Sequence, residues 1–205
     1  MKTSKAHWDN RYRSVGADRV SWFEAEPEQS LALLRMVGAD RSSSVIDVGG
    51  GASVLAMCLV EQGYQDVSVL DISQEALDAA KTRMTRPEAV TWIQADLLDW
   101  IPHRRWDVWH DRALFHFLID HRDRDIYRSL LHQALEPGGA AILATFAEDG
   151  PTSCSGLPVA RYSPNQLIAE IGPDFSEIGS GRFEHVTPPE TTQPFTWVAL
   201  RADEA

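Results

Sequence analysis

The sequence predicts an α/β fold, and three observations carry that reading. From about residue 43 onward, short apolar runs alternate with helical patterns, as strands and helices do in turn. A glycine-rich turn, "DVGGGAS" (47–53), follows the first apolar run. Further on, Pro137, Gly138 and Gly139 punctuate the boundary between a helical pattern and another apolar run.

The elements follow in order. "SVIDV" (44–48) is a buried first strand, and "SVLAMCLVEQG" (53–63) a helix that Gly63 stops. "VSVL" (67–70) is the second strand. Ser73 then N-caps the helix "QEALDAAKTRM", whose Leu77, Ala80 and Met84 share one apolar face. "VTWIQA" (90–95) and "WDVWH" (106–110) are the third and fourth strands. "RDRDIYRSLLHQAL" (122–135) places Ile126, Leu130 and Ala134 at helical spacing, and the Pro-Gly-Gly run ends that helix. "AAILATF" (140–146) is the fifth strand, "PNQLIAEI" a last helix and "FTWVALR" (195–201) the last strand. One domain is expected over 1–205. It divides into a helical cover or lid at 1–43, a core at 44–146, and a loop, helix and last strands at 147–205.

A formal charge of −11 argues against a binder of nucleic acid or anionic membrane. The basic runs "HRR" (103–105) and "HRDRD" (121–125) read as solvated faces. Two cysteines, Cys58 and Cys154, make no disulfide framework and are too few for a structural zinc site, so no metal is expected. They fit a reduced, cytoplasmic setting. The start of the chain has no apolar run of a secretory signal, and no stretch has the roughly eighteen apolar residues of a membrane span.

The glycine turn admits a dinucleotide pyrophosphate, another adenosine cofactor, or no ligand at all. A dinucleotide fingerprint needs a third glycine at position 54, where Val54 stands. Asp47 beside the turn would repel a pyrophosphate and suits a ligand bearing an ammonium group. Asp71 ends the second strand, where a carboxylate accepts two hydrogen bonds from a ribose diol. Asp96 follows the third strand, within reach of an adenine amino group, with the Leu97 N–H beside it. A lone aspartate at a strand end often only caps a helix; three at matching ends carry more.

In their order and spacing, "VIDVGGGAS", "VLDIS", "QADLLDW", "WDVWHDRALFHFL" and "LEPGGAAIL" resemble the class I S-adenosylmethionine-dependent methyltransferases over about residues 44 to 146. The sequence departs from the family's acidic-x-Gly-x-Gly-x-Gly motif at Ser53, which stands at the third glycine. Serine is small and able to cap the helix, so binding is expected to survive. The resemblance implies a Rossmann-like, doubly wound, seven-stranded, mostly parallel sheet with the last strand antiparallel and helices on both faces. It also implies S-adenosyl-L-methionine as cofactor and S-adenosyl-L-homocysteine as product. Asp47, Gly49, Gly50 and Gly51 would face the methionine portion, Asp71 and Ile72 the ribose, and Asp96 and Leu97 the adenine. Trp22 and His110 are expected to border the cofactor too.

Methyl transfer from a sulfonium mainly requires alignment, with a base only where the acceptor must lose a proton. The end of the fourth strand, "WHDRALFHF", is where the resemblance puts such groups. His110 and Asp111 are the candidate catalytic pair, and Arg112, Phe115, His116 and, from the loop at 149–163, Tyr162 are candidates for holding the acceptor. The same residues also admit a structural account, with Asp111 and Arg112 an ion pair and His116 a core histidine. "HDRA" is not the Asn/Asp-Pro-Pro-aromatic motif of relatives that methylate planar amides or adenine amino groups. "HWDNRYRSVGADRVSWFE" is either a lid or a helix packing Trp8 and Tyr12 on the core. The expected partner is a small-molecule acceptor, and the expected assembly a monomer or small homo-oligomer. Alternatives are a lysine methyltransferase of the same fold, an NAD(P)-dependent oxidoreductase and a non-catalytic cofactor-binding protein.

Overall fold

The computed structural model describes residues 4–203. Five parallel strands come first: β1 (Ser44–Val48), β2 (Asp66–Asp71), β3 (Val90–Gln94), β4 (Trp106–Arg112) and β5 (Leu135–Phe146). A small hairpin, β6 (Ser153–Cys154) and β7 (Leu157–Pro158), precedes β8 (Phe175–Val186) and β9 (Thr192–Ala202). The main sheet has seven strands in the order β3-β2-β1-β4-β5-β9-β8, with β9 antiparallel to both of its neighbours.

Every residue of β1 is buried, which is why "SVIDV" shows no apolar–polar alternation. Its pleat feeds two cores. Ile46 and Val48 join Trp109 and Leu143 on one face, beneath α5 (His121–Ala134) and α6 (Pro164–Ile171). Val45 joins Val108 and Ile142 on the other, beneath α2 (Glu28–Met36) and α3 (Leu55–Glu61). The strand order reverses between β1 and β4, the point where open α/β sheets leave a crevice at the strands' carboxyl ends.

α4 (Gln74–Arg83) begins as expected, with the Ser73 hydroxyl accepting from Ala76 N–H and Leu77 and Ala80 buried. α1 (Lys5–Val15) lies against it and carries Tyr12 into a small aromatic cluster. Two expectations need correction. In α5 the buried face runs through Tyr127, Leu130, Leu131 and Ala134, while Ile126 is 39% exposed. The apolar stripe sits one residue later because the Tyr127 ring closes the core on Trp109 and its hydroxyl finds a buried partner.

Nor does Pro137-Gly138-Gly139 separate helix from strand. α5 ends at Ala134, β5 starts at Leu135, and the Pro-Gly-Gly run forms an irregularity inside the pairing of β5 with β4. A Cβ on Gly139 would stand 2.8 Å from the Glu136 carbonyl oxygen and 3.0 Å from that of Asp107. Gly139→Ala is therefore expected to destabilise the fold by about 1–3 kcal/mol. Urea unfolding measures it, and an unchanged midpoint would show that the irregularity has slack.

Candidate active site

The turn after β1 carries positive φ at Gly49 (69°) and Gly51 (50°), so its backbone folds tightly over the strand end. A Cβ on Gly49 would meet Leu114 at 2.5 Å, and one on Gly51 would meet the Tyr12 hydroxyl at 2.6 Å. Ser53 accepts the Leu55 N–H at 3.0 Å, so it supports the helix start as expected.

Two adjoining cavities open at the carboxyl ends of the strands. The larger, about 820 Å³ with its mouth included, is floored by Gly49, Asp71, Ile72, Asp96 and Leu97. Its roof comes from Trp8, Tyr12 and Trp22 of the N-terminal segment, and its far side from Arg112, Leu114, Phe117 and Cys154. The smaller, about 500 Å³, contains Asp47, Gly49, Gly50, Ser53 and His110, with Ser30 from α2. Trp22 and Arg112 border both.

The roof is held by side-chain chemistry. Asp9, on α1, accepts the Ser73 hydroxyl at 2.7 Å and pairs with Lys5. Trp22 Nε1 donates to the Tyr12 hydroxyl at 3.2 Å, and Trp8 meets Trp22 and Phe117 edge-on at 5.8 and 5.2 Å. Arg112 donates to the Trp22 carbonyl at 2.9 Å and to Glu24 at 2.7 Å, clamping the same segment from below.

Asp71 receives the Ser73 N–H at 2.7 Å and is 8% exposed. Burial drives its carboxyl up to about 7, with help from the negative charges of Asp47 and Asp9 and against the hydrogen bonds from Ser73 and Gly51. Asp96 accepts the Leu98 N–H at 3.1 Å and so starts the short turn that presents Leu97. Tyr12, wholly enclosed, is pushed up by burial and then by Asp71.

Several expected site residues lie elsewhere. Asp111 is fully buried on the side of the sheet facing α5, where it accepts from Tyr127 Oη at 2.7 Å, Leu114 N–H at 2.9 Å and Phe115 N–H at 3.3 Å. Its oxygens are committed to these donors, and Arg112 pairs with Glu24 in place of the expected Asp111. Phe115 packs on Tyr127 at 4.8 Å and Tyr162 packs on Phe115 at 5.7 Å, both in the core rather than on a cavity wall. His116 is likewise enclosed, edge-on to Phe117 and tilted against Phe146, and neither ring nitrogen has a hydrogen-bond partner. Burial and then Arg112 bring it down to about 3, so it stays neutral.

His110 does reach the smaller cavity, but both of its nitrogens are engaged. Nδ1 lies 2.7 Å from Asp47 and Nε2 lies 2.9 Å from Ser30. Ser30 carries no signal in its own stretch of sequence. The loop at 149–163, by contrast, supplies Cys154 to the larger cavity, its thiol pushed up to about 11 by burial.

A doubly wound sheet with acidic strand ends and a glycine turn at its switch point defines a nucleotide-cofactor-binding α/β protein. Residues 45–139 match the family model described as "Methyltransferase domain". A trans-aconitate 2-methyltransferase of Rhizobium rhizogenes is 31% identical over 134 residues, which are 65% of this chain and 49% of that protein. The chain thus spans about half the length of the curated relatives it matches. A solved structure from work on the conversion of a disulfide bond into a thioacetal group during echinomycin biosynthesis superposes with a TM-score of 0.77. It is 22% identical, and 97% of this chain and 93% of that one are covered. A SAM-dependent methyltransferase from Anabaena variabilis gives 0.75 at 17% identity, covering 97% and 94%. The chain is thus similar to the methyltransferase-domain family over residues 45–139, and as a whole it shares the fold of S-adenosylmethionine-dependent methyltransferases.

The raised carboxyls give stability a defined pH dependence. Asp71, raised from 3.8 to about 7, and Asp111, raised to about 6, bind protons more tightly in the folded chain than in the unfolded one. Their contribution is complete below 3.8 and is lost as pH climbs through about 7. The melting temperature of Asp71→Asn is expected to vary less over that window than that of the parent protein. Superimposable melting-temperature–pH curves for the two proteins would remove Asp71 from the account.

Proposed function

We propose that the protein transfers a methyl group from S-adenosyl-L-methionine to a small-molecule acceptor. The observation that carries the reading is Asp71: a buried carboxyl on a cavity floor, lying between the glycine turn and Asp96. A ribose diol supplies the two donors that such a carboxylate lacks in the dry protein. The glycines fit the donor's remaining part, since a Cβ at Gly50 would stand 2.5 Å from the Asp47 carboxylate and fill the space beside it. Val54 is buried at the helix start, where a dinucleotide fingerprint has a glycine, which disfavours the oxidoreductase alternative.

When bound, the cofactor supplies a methyl group already activated on sulfonium. The chain's own part is enclosure and alignment. Trp8, Tyr12 and Trp22 close the cavity above, and Arg112 anchors Trp22. With His110 paired, Asp111 committed and His116 neutral, alignment replaces acid–base help; its upper range is ~7–11 kcal/mol. This roof suits a small acceptor better than the open groove a lysine side chain on a protein would need. The free thiols of Cys58 and Cys154 fit a cytoplasmic setting.

Calorimetric titration with S-adenosylmethionine, S-adenosylhomocysteine and NADH tests the cofactor. Both adenosyl ligands are expected to bind and NADH not to, and Asp71→Ala is expected to weaken them by roughly 10- to 100-fold. Binding of NADH alone would overturn the reading. trans-Aconitate, named in the relatives' activity, is the first acceptor to assay with labelled methyl donor.

A further inference from the structure

We propose that Ser30 and His110 act as positioning residues that aim the Asp47 carboxylate at the ammonium end of the methyl donor, an inference that rests on the cofactor reading above. The three side chains form one hydrogen-bonded row drawn from α2, β4 and β1. Ser30 Oγ stands 2.9 Å from His110 Nε2, and His110 Nδ1 stands 2.7 Å from Asp47 Oδ1. Each of the three is 3% exposed, and all three border the smaller cavity beside Gly49 and Gly50.

The proton inventory of the row follows from its ends. A carboxylate only accepts, so Nδ1 carries the hydrogen that joins His110 to Asp47. In the proposed row the Ser30 hydroxyl donates to Nε2, which holds the ring in one tautomer and fixes the partner carboxylate.

The row also fixes where the charge points. With Oδ1 taken by His110, Oδ2 faces the glycine turn, where a Cβ on Gly50 would lie 2.5 Å from it. Because Ser30 lies on α2, this helix becomes part of the cofactor site without touching the adenosine half. Loss of the hydroxyl leaves a buried ring nitrogen without its donor and frees the ring to turn.

The test compares two ligands that differ at the aminoacyl end. S-adenosylhomocysteine carries the ammonium and 5′-methylthioadenosine lacks the whole aminoacyl group. By calorimetry, Ser30→Ala is expected to weaken S-adenosylhomocysteine by about tenfold while changing methylthioadenosine by less than about twofold. Ser30→Cys keeps the volume with a weaker donor and is expected to fall between. Equal losses for both ligands, or none, would overturn the proposal in favour of a purely structural row. If the parent protein binds neither ligand, the cofactor reading itself fails and takes this one with it. A ligand-free check is nitrogen-15 NMR of the parent protein near neutral pH, with the His110 signals assigned by their loss in His110→Gln. The Nδ1–H tautomer is expected, and the Nε2–H tautomer contradicts the proposal.

Discussion

The amide and hydroxyl of Ser73 bind the end of β2 and the start of α4 to an N-terminal helix 64 residues earlier in the chain. The residue is fully buried; its N–H holds Asp71 at 2.7 Å, its oxygen accepts from Ala76 N–H, and its hydroxyl hydrogen goes to Asp9 at 2.7 Å. A serine hydroxyl has one hydrogen to give, and here it ties the N-terminal helix to the sheet edge. Asp9 and Tyr12 lie three residues apart on one helix face, so seating the first also seats the second over the glycine turn. Cover, helix start and cavity floor are thus registered by a single side chain.

Four buried carboxyls crowd this edge of the sheet, and their partners sort their roles. Asp9 has Lys5 and Ser73, Asp47 has His110, and Asp111 has the Tyr127 hydroxyl and two backbone amides. Asp71 has backbone amides and no cation, beside two other negative charges. Burying a carboxylate is costly unless it is paired or hydrogen-bonded. The first three satisfy that requirement within the protein, while Asp71 is left with the weakest compensation at the floor of the larger cavity.

The fold was legible because its signals are local. A buried run, a glycine turn and a capped helix recur along the chain, and Asp47, Asp71 and Asp96 announce the strand ends from within a few residues of them. The division of labour on β4 was less evident, though the pleat encodes it. Alternation puts His110 and Arg112 on one side of the sheet and Trp109 and Asp111 on the other. Hydrogen bonding then carries Asp111 to Tyr127, away from the cavities. Phe115, His116 and Tyr162 lie buried rather than on a cavity wall, a difference that composition does not signal. Ser30 had no local signature, since its partner lies 80 residues further along the chain.

The junction of α5 with β5 has a further consequence, for how such a scaffold diversifies. Helix passes into strand at Ala134–Leu135 without a spacer, and the following irregularity is pinned between the carbonyls of Asp107 and Glu136. That corner has no slack for an insertion or deletion. Exposed turns in the N-terminal segment and in the hairpin loop after β5 are better suited to absorb a change of length. Those two segments supply Trp8, Trp22 and Cys154 to the larger cavity, opposite the carboxylate floor. Substitutions in those two segments therefore reshape one wall of the cavity while leaving Asp71, Asp96 and the glycine turn as they are.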